Sequence, residues 1–243
     1  MLRHEASYKS NEASQNPHEE FHNLQNDSHN PNQIFESTRP KELFFIRHGE
    51  TDYNLKGIVQ GRKVNASLND KGRWQSALFY SRFKNFGFEK IFTSSLKRTV
   101  ETVQSFIDDE VPFQQLDGLD EIDWGNMEGK IPDDSSRTIF ETTLNRWKNG
   151  ELDHGMFGGE SPNELHIRQA NAMLTIMQSS EQKILICMHG RALRLLLCFL
   201  IQKDFCEMDD FPHQNVSLYH LRFMDNQFKI IAFNDTQHLN ESY

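Results

Sequence analysis

The chain has 243 residues, room for one α/β domain or at most two small ones, and its 37% hydrophobic content predicts that part of it lies outside the core. A formal charge of −9 argues against generic binding to nucleic acid or anionic membranes, while leaving room for a local basic pocket. Cys187, Cys198 and Cys206 include no CxxC pair, which argues against a disulfide framework and fits a protein of the reducing cytoplasm.

Residues 1–40 are rich in Asn, Ser, Glu and His, show no apolar period, and hold three of the seven prolines and four of the eleven histidines. Such a segment buries too little surface to offset its ordering entropy. It is expected to be a disordered polar N-terminal tail, followed by one domain over 41–243. The opening stretch MLRHEASYKSNEASQ lacks the apolar core of a secretory signal. The tail histidines lack the paired spacing of a metal site.

From Lys41 onward strands and helices alternate. ELFFI is a short β-rich run, and a polar loop follows it to residue 70. DKGRWQSALFYSRFKNFG has helical spacing at Trp74, Ala77, Leu78 and Phe83, with Gly87 as its stop. FEKIFTSS is a second strand, LKRTVETVQSFIDD a second helix, and VPFQQLDGLDEID a third strand that becomes a loop. Helical stretches follow around 137–149 and 162–179. The latter opens with Ser161 as N-cap, Pro162 at the first helical position and Glu164 completing a capping box. KILICM is a buried strand and GRALRLLLCFLIQK a buried helix, whose apolar run at 195–201 is too short to span a bilayer. NVSLYHLRF and FKIIAF are closing strands. The alternation predicts a mainly parallel sheet covered on both faces, and ligands of such sheets sit beyond the carboxyl ends of the strands.

That rule gathers a site. Arg47 and His48 follow the first strand, Ser94, Ser95 and Arg98 the second, Glu121 the third, and His189 with Gly190 follows KILICM. Taken singly, each has an ordinary explanation: Arg98 as a surface charge, Glu121 as one loop acid beside Asp117, Asp120 and Asp123. Together, two guanidiniums, two imidazoles, hydroxyls and a helix N-terminus form a pocket for a compact oxyanion, with phosphate the obvious candidate. A neutral imidazole held at one nitrogen and flanked by arginines is a nucleophile, and a facing carboxylic acid can protonate the leaving oxygen. Gly49 and Gly190 are expected to let backbone N–H groups approach the anion.

The ordered stretches RHGETDYN, SSLKRTVET, LDEIDWGNMEG, GGES and MHG resemble those of the histidine phosphatase superfamily, the phosphoglycerate mutase-like fold. The likeness runs from about residue 42 to the C-terminal FNDTQHL. It implies an α/β fold, a three-layer α/β/α sandwich with a mainly parallel central sheet. It implies His48 as the phosphohistidine nucleophile and Glu121 as proton donor. Arg47, Arg98, His189 and Gly190 would bind the phosphoryl group, with Asn54, Gln60 and Gly61 nearby, and Gly159, Glu160 and Ser161 match a motif near the site. No metal or organic cofactor is implied, since arginines and imidazoles carry the charge stabilisation.

Two outcomes share that intermediate: transfer to water, or return to a sugar acid. Mutases of the family carry a long basic insertion between the Glu and the second His, whereas ETTLNRWKNGELDHGMFGGES has no arginine cluster. The reading is therefore a phosphatase acting on a small phosphate ester, with a mutase, or a binder that does not turn its ligand over, as the alternatives. Arg191 departs from the HGN that follows the second strand in mutases. It is expected to reach a second substrate anion, turn to solvent, or pair with an acid such as Glu160.

Overall fold

A computed structural model describes Phe35 and residues 39–240. Six strands form one sheet: β1 (Lys41–Arg47), β2 (Lys90–Thr93), β3 (Phe113–Gln115), β4 (Lys183–Met188), β5 (Leu218–Met224) and β6 (Gln227–Asp235). Their order is β3-β2-β4-β1-β5-β6. The β3–β2, β2–β4 and β4–β1 pairs are parallel. The β1–β5 and β5–β6 pairs are antiparallel, the latter joined by the tight turn at Asp225 and Asn226, both at positive φ. The two closing strands therefore make the sheet mixed at one edge.

Side chains alternate across the sheet with the period of two that strands impose. Leu43 and Phe45 of β1 enter one apolar cluster, Phe44 and Ile46 the other. The first cluster lies under α5 (Pro162–Gln178) and α6 (Gly190–Leu200), the second under α2 (Asp70–Phe83) and α3 (Lys97–Asp108). This gives the three layers. Two further helices, the single turn α1 (Asp52–Leu55) and α4 (Asp134–Lys148), lie in the connections. Helix α5 begins as its sequence predicts, with Ser161 and Glu164 closing a capping box and Pro162 in the first turn.

Two sequence expectations change. The inward face of α2 is Gly72, Gln75, Ser76 and Phe79, while Ala77 is exposed. Phe35, inside the segment assigned to the tail, is buried and meets Phe199 and Phe228 edge-on at 6.1 and 5.9 Å. Composition averages a segment, so it misses one aromatic anchor; residues 1–34 and 36–38 of that segment lie outside the described residues.

Candidate active site

Parallel pairing sets Arg47 opposite Met188, so β1 and β4 release His48 and His189 side by side. Their rings lie 5.2 Å apart. His48 is buried, and its Nδ1 lies 2.8 Å from the Gly49 carbonyl. A carbonyl only accepts, so Nδ1 carries the proton and Nε2 keeps its lone pair. Burial, then the charges of Arg98 and Arg47, push the His48 pKa well below 6.5. The imidazole is neutral, with one nitrogen tied and the other open.

Arg98 projects from the first turn of α3 and is fully buried. Its Nε donates to His189 Nδ1 at 3.2 Å, one terminal nitrogen to the Val64 carbonyl at 2.6 Å, and the other to the Gly61 carbonyl at 3.3 Å. Guanidinium only donates, so His189 Nδ1 is bare and its Nε2–H donates to Ser94 Oγ at 2.8 Å. Among the described residues neither Arg98 nor Arg47 forms an ion pair. Burial lowers the Arg98 pKa to about 10, against the raising influence of Glu121 and Asp120. A buried cation lacking a bonded counter-ion is costly unless an anion arrives.

Glu121 is buried at the head of α6. One oxygen, Oε1, accepts from the N–H groups of Ile122 and Ala192 at 3.0 and 2.8 Å; Oε2 accepts from Arg191 N–H at 3.1 Å. The loop carrying it is gripped by Arg168, whose guanidinium donates to the carbonyls of Gly118, Asp120 and Glu121 at 3.0, 2.9 and 2.9 Å. The same Arg168 pairs twice with Glu160, at 2.7 and 2.8 Å. Glu160 thus buttresses the loop from the GES stretch. The neighbouring acids are occupied: Asp120 accepts from Ser95 N–H and hydroxyl at 2.9 and 2.8 Å, and Asp123 pairs with Lys63 at 2.8 Å.

On the far side, Arg47 donates to Nδ1 of His213 at 3.2 Å, while its own Nε is buried with no hydrogen-bond partner. Asn54 closes a capping box with Thr51, whose hydroxyl also lies 3.0 Å from Gln60 Oε1. The Gln60 amide nitrogen is buried and unpartnered. Two open donors, Arg47 Nε and Gln60 Nε2, thus belong to residues of the proposed phosphate set.

The structure brings His48, Arg47, Arg98, Glu121, His189 and Gly190 to one sheet end, with Asn54 in α1 and Gln60 and Gly61 on the loop after it. Several local reasons differ from the expected ones. Gly49 is required by helix α2, because a Cβ there would lie 2.7 Å from the Gly72 carbonyl, and its own N–H donates to Thr102 Oγ1. Gly190 is required by His213, whose ring would lie 2.7 Å from a Cβ. The α6 N–H groups of residues 191 and 192 meet Glu121 rather than standing open to an anion. Both nitrogens of His189 are engaged by protein. Arg191 pairs with Asp209 at 2.7 Å, not with Glu160. Sequence reasoning passes over His213, Arg168 and Asp209; each sits outside the quoted stretches and acts through a contact distant along the chain. Among the described residues, no group of three His, Cys, Asp or Glu is placed to hold a metal ion, and no helix is long and apolar enough to cross a membrane.

Comparison with known proteins identifies the family and the fold. A Schizosaccharomyces pombe protein named as a probable phosphatase is 40% identical over 90 residues, 36% of this chain and 43% of its own length. The Bacillus subtilis protein named uncharacterized phosphatase PhoE is 28% identical over 80% of this chain and 95% of its own. The solved structure of Bacillus stearothermophilus YhfR, 24% identical, superposes with a TM-score of 0.74 over 82% of this chain and 100% of that one, a likeness of fold. The profile of the histidine phosphatase superfamily (branch 1) matches residues 43–236. With six strands in the order described and His48 at the end of the first, the chain belongs to the histidine phosphatase superfamily.

Proposed function

We propose that the protein hydrolyses small phosphomonoesters through a phosphohistidine at His48. The observation that carries this reading is a buried, neutral imidazole with Nε2 open, set among the buried Arg98 and the half-buried Arg47, both lacking bonded counter-ions. A phosphoryl dianion supplies the missing charge, and the pocket supplies the nucleophile. In the first step the Nε2 lone pair attacks phosphorus and the P–O ester bond breaks. Glu121 gives its proton to the departing alkoxide. Water then attacks the phosphohistidine, the P–N bond breaks, and the water's proton passes to Glu121.

The geometry suggests which oxygen of Glu121 carries that proton. A carboxylate offers about four lone-pair sites. Oε1 accepts from two N–H groups and Oε2 from one, which leaves the fourth site on Oε2. Arg47, Arg98 and Gln60 bind the phosphoryl oxygens, and Asn54 orders the loop through Thr51. Release of Ser94 by His189 Nε2–H would add one more donor.

The test is a single turnover of excess enzyme with para-nitrophenyl phosphate in the presence of a chelator, quenched in alkali. The wild type should hold acid-labile, alkali-stable phosphate, and a folded His48→Ala variant should hold none and release no phenolate above background. Hydrolysis continuing in the folded variant would defeat the assignment. Label appearing on an added sugar acid rather than in water would instead identify a mutase.

A further inference from the structure

His213 belongs to no motif of the sequence, yet it touches the site at two points. It lies between the 3-10 turn Phe205–Asp210 and β5. One ring edge carries Nδ1, which receives the Arg47 guanidinium at 3.2 Å. Because guanidinium only donates, Nδ1 is bare and the ring proton sits on Nε2. The other edge, Cε1–Nε2, fills the space that a side chain at Gly190 would need. The ring is therefore clamped between the end of β1 and the start of α6.

Its surroundings are cationic. Burial first, then the charges of Arg47 of β1 and of Arg194 and Arg191 of α6, push its pKa down to about 3. The acid on that side, Asp209, is shared by Arg191 at 2.7 Å and Arg194 at 2.5 Å. His48 feels His213 as well, beneath the larger influences of burial, Arg98 and Arg47. Glu121, the acid whose charge acts on Arg47, is bonded to backbone N–H groups.

We propose that His213 is a positioning residue: a neutral hydrogen-bond acceptor that orients Arg47 toward the phosphoryl group without cancelling its charge. This rests on the phosphate-pocket reading above. A carboxylate at this place would hold the guanidinium more firmly, but it would form an ion pair and offset the cation that the ligand needs. An apolar residue would leave the charge and lose the direction. Imidazole kept neutral by burial and by its cationic surroundings does both tasks, and Arg47 Nε is a buried donor left without a protein partner. It also gives a reason for glycine at position 190, since a methyl there would displace the ring.

The experiment compares His213→Ala, His213→Asn and His213→Asp by inhibition with inorganic phosphate. It also separates kcat from KM with para-nitrophenyl phosphate as substrate and chelator present. A hydrogen bond to a charged group corresponds to roughly a tenfold effect or more. His213→Ala should weaken phosphate binding and raise KM about tenfold, with kcat changed less. His213→Asn, whose amide oxygen replaces Nδ1 as acceptor, should recover most of that loss. His213→Asp should bind phosphate more weakly than His213→Asn although it is the stronger acceptor. Gly190→Ala is a second route to the same defect and should not add to His213→Ala. Aspartate matching or exceeding asparagine overturns the proposal, as does an alanine variant with unchanged phosphate inhibition. Should the alanine variant fold poorly, the asparagine–aspartate ratio decides by itself. A wild type that never phosphorylates at His48 would defeat the hydrolase reading separately, since the phosphate-inhibition ratios can be measured as direct binding.

Discussion

Acidification should unfold this protein through its own active site. His48 and His189 are buried with pKa values well below 6.5, and His213 is lowered to about 3. For His189 the cause is again burial first, then Arg98. A base whose folded pKa lies below its unfolded value binds the proton more readily when unfolded, so stability is full above 6.5 and falls as pH drops beneath it. Between about pH 7.5 and about pH 5.5 each such group costs about 1.4 kcal/mol, and the three together cost about 4 kcal/mol. That is a large part of the roughly 5–15 kcal/mol that holds a typical domain together. His238, also lowered by burial, adds in the same sense. Asp120 and Glu128 oppose it, because burial raises their carboxyl pKa values and folding then favours their protonated forms. Urea unfolding at several pH values measures the loss directly, and thermal melts should fall by roughly 8–16 °C over the same interval. The His213→Asn variant removes one of the three titrations and should lose about 1.4 kcal/mol less than wild type. Stability that stays level to about pH 5.5, or a variant with the same loss as wild type, would refute neutral buried imidazoles as the reason.

Phe35→Ala should cost about 3–5 kcal/mol in urea unfolding, because the ring is buried against Phe199 and Phe228. A chain beginning at Pro31 should keep wild-type stability and turnover; a loss there would show that composition misjudged the preceding segment. Glu121→Gln should lower hydrolysis of poor leaving groups far more than that of para-nitrophenyl phosphate, and lose about 1 kcal/mol of stability with the α6 cap. Equal loss on both esters would remove Glu121 from proton transfer. Asp209→Asn should free Arg191 and Arg194 and tighten inhibition by pyrophosphate about three- to tenfold at low salt, an effect that fades at high salt. Unchanged inhibition would mean that these arginines do not face the pocket.

What is legible in the sequence is what local order controls. An apolar run of four or five residues that stops at Arg47-His48, or at His189-Gly190, marks a strand end, and parallel strands put their carboxyl ends together. The capping box at Ser161 is legible because its partners lie three residues apart. Contacts distant along the chain are not. Arg47 and His213 are separated by 166 positions, and nothing near either residue signals the other. The acid that meets Arg191 escapes for the same reason, since Asp209 reaches it from a different connection. The glycines carry the expected importance for a different cause. A glycine marks close approach, but the sequence does not say by what: at Gly49 it is the backbone of α2, at Gly190 an imidazole ring.

On the proposed mechanism, the electrostatics of the site serve two states that differ by a dianion. In the free protein, burial and the guanidiniums act together to keep His48 neutral. A bound phosphoryl group offsets the guanidiniums, so their effect on the imidazole fades just when a nucleophile is needed. Burial does not fade; it is the largest cause of the His48 shift and is strengthened when substrate displaces water. The Gly49 carbonyl pulls the other way, because it also stabilises the protonated ring, but it fixes the tautomer that leaves Nε2 free. Depth in the sheet edge would therefore keep His48 unprotonated in the proposed complex, leaving the arginines to do what a buried imidazole cannot, which is to bind the charge. That division accounts for Arg47 and Arg98 standing without ion-pair partners while the nearby carboxylates meet Ser95, Lys63 and the head of α6.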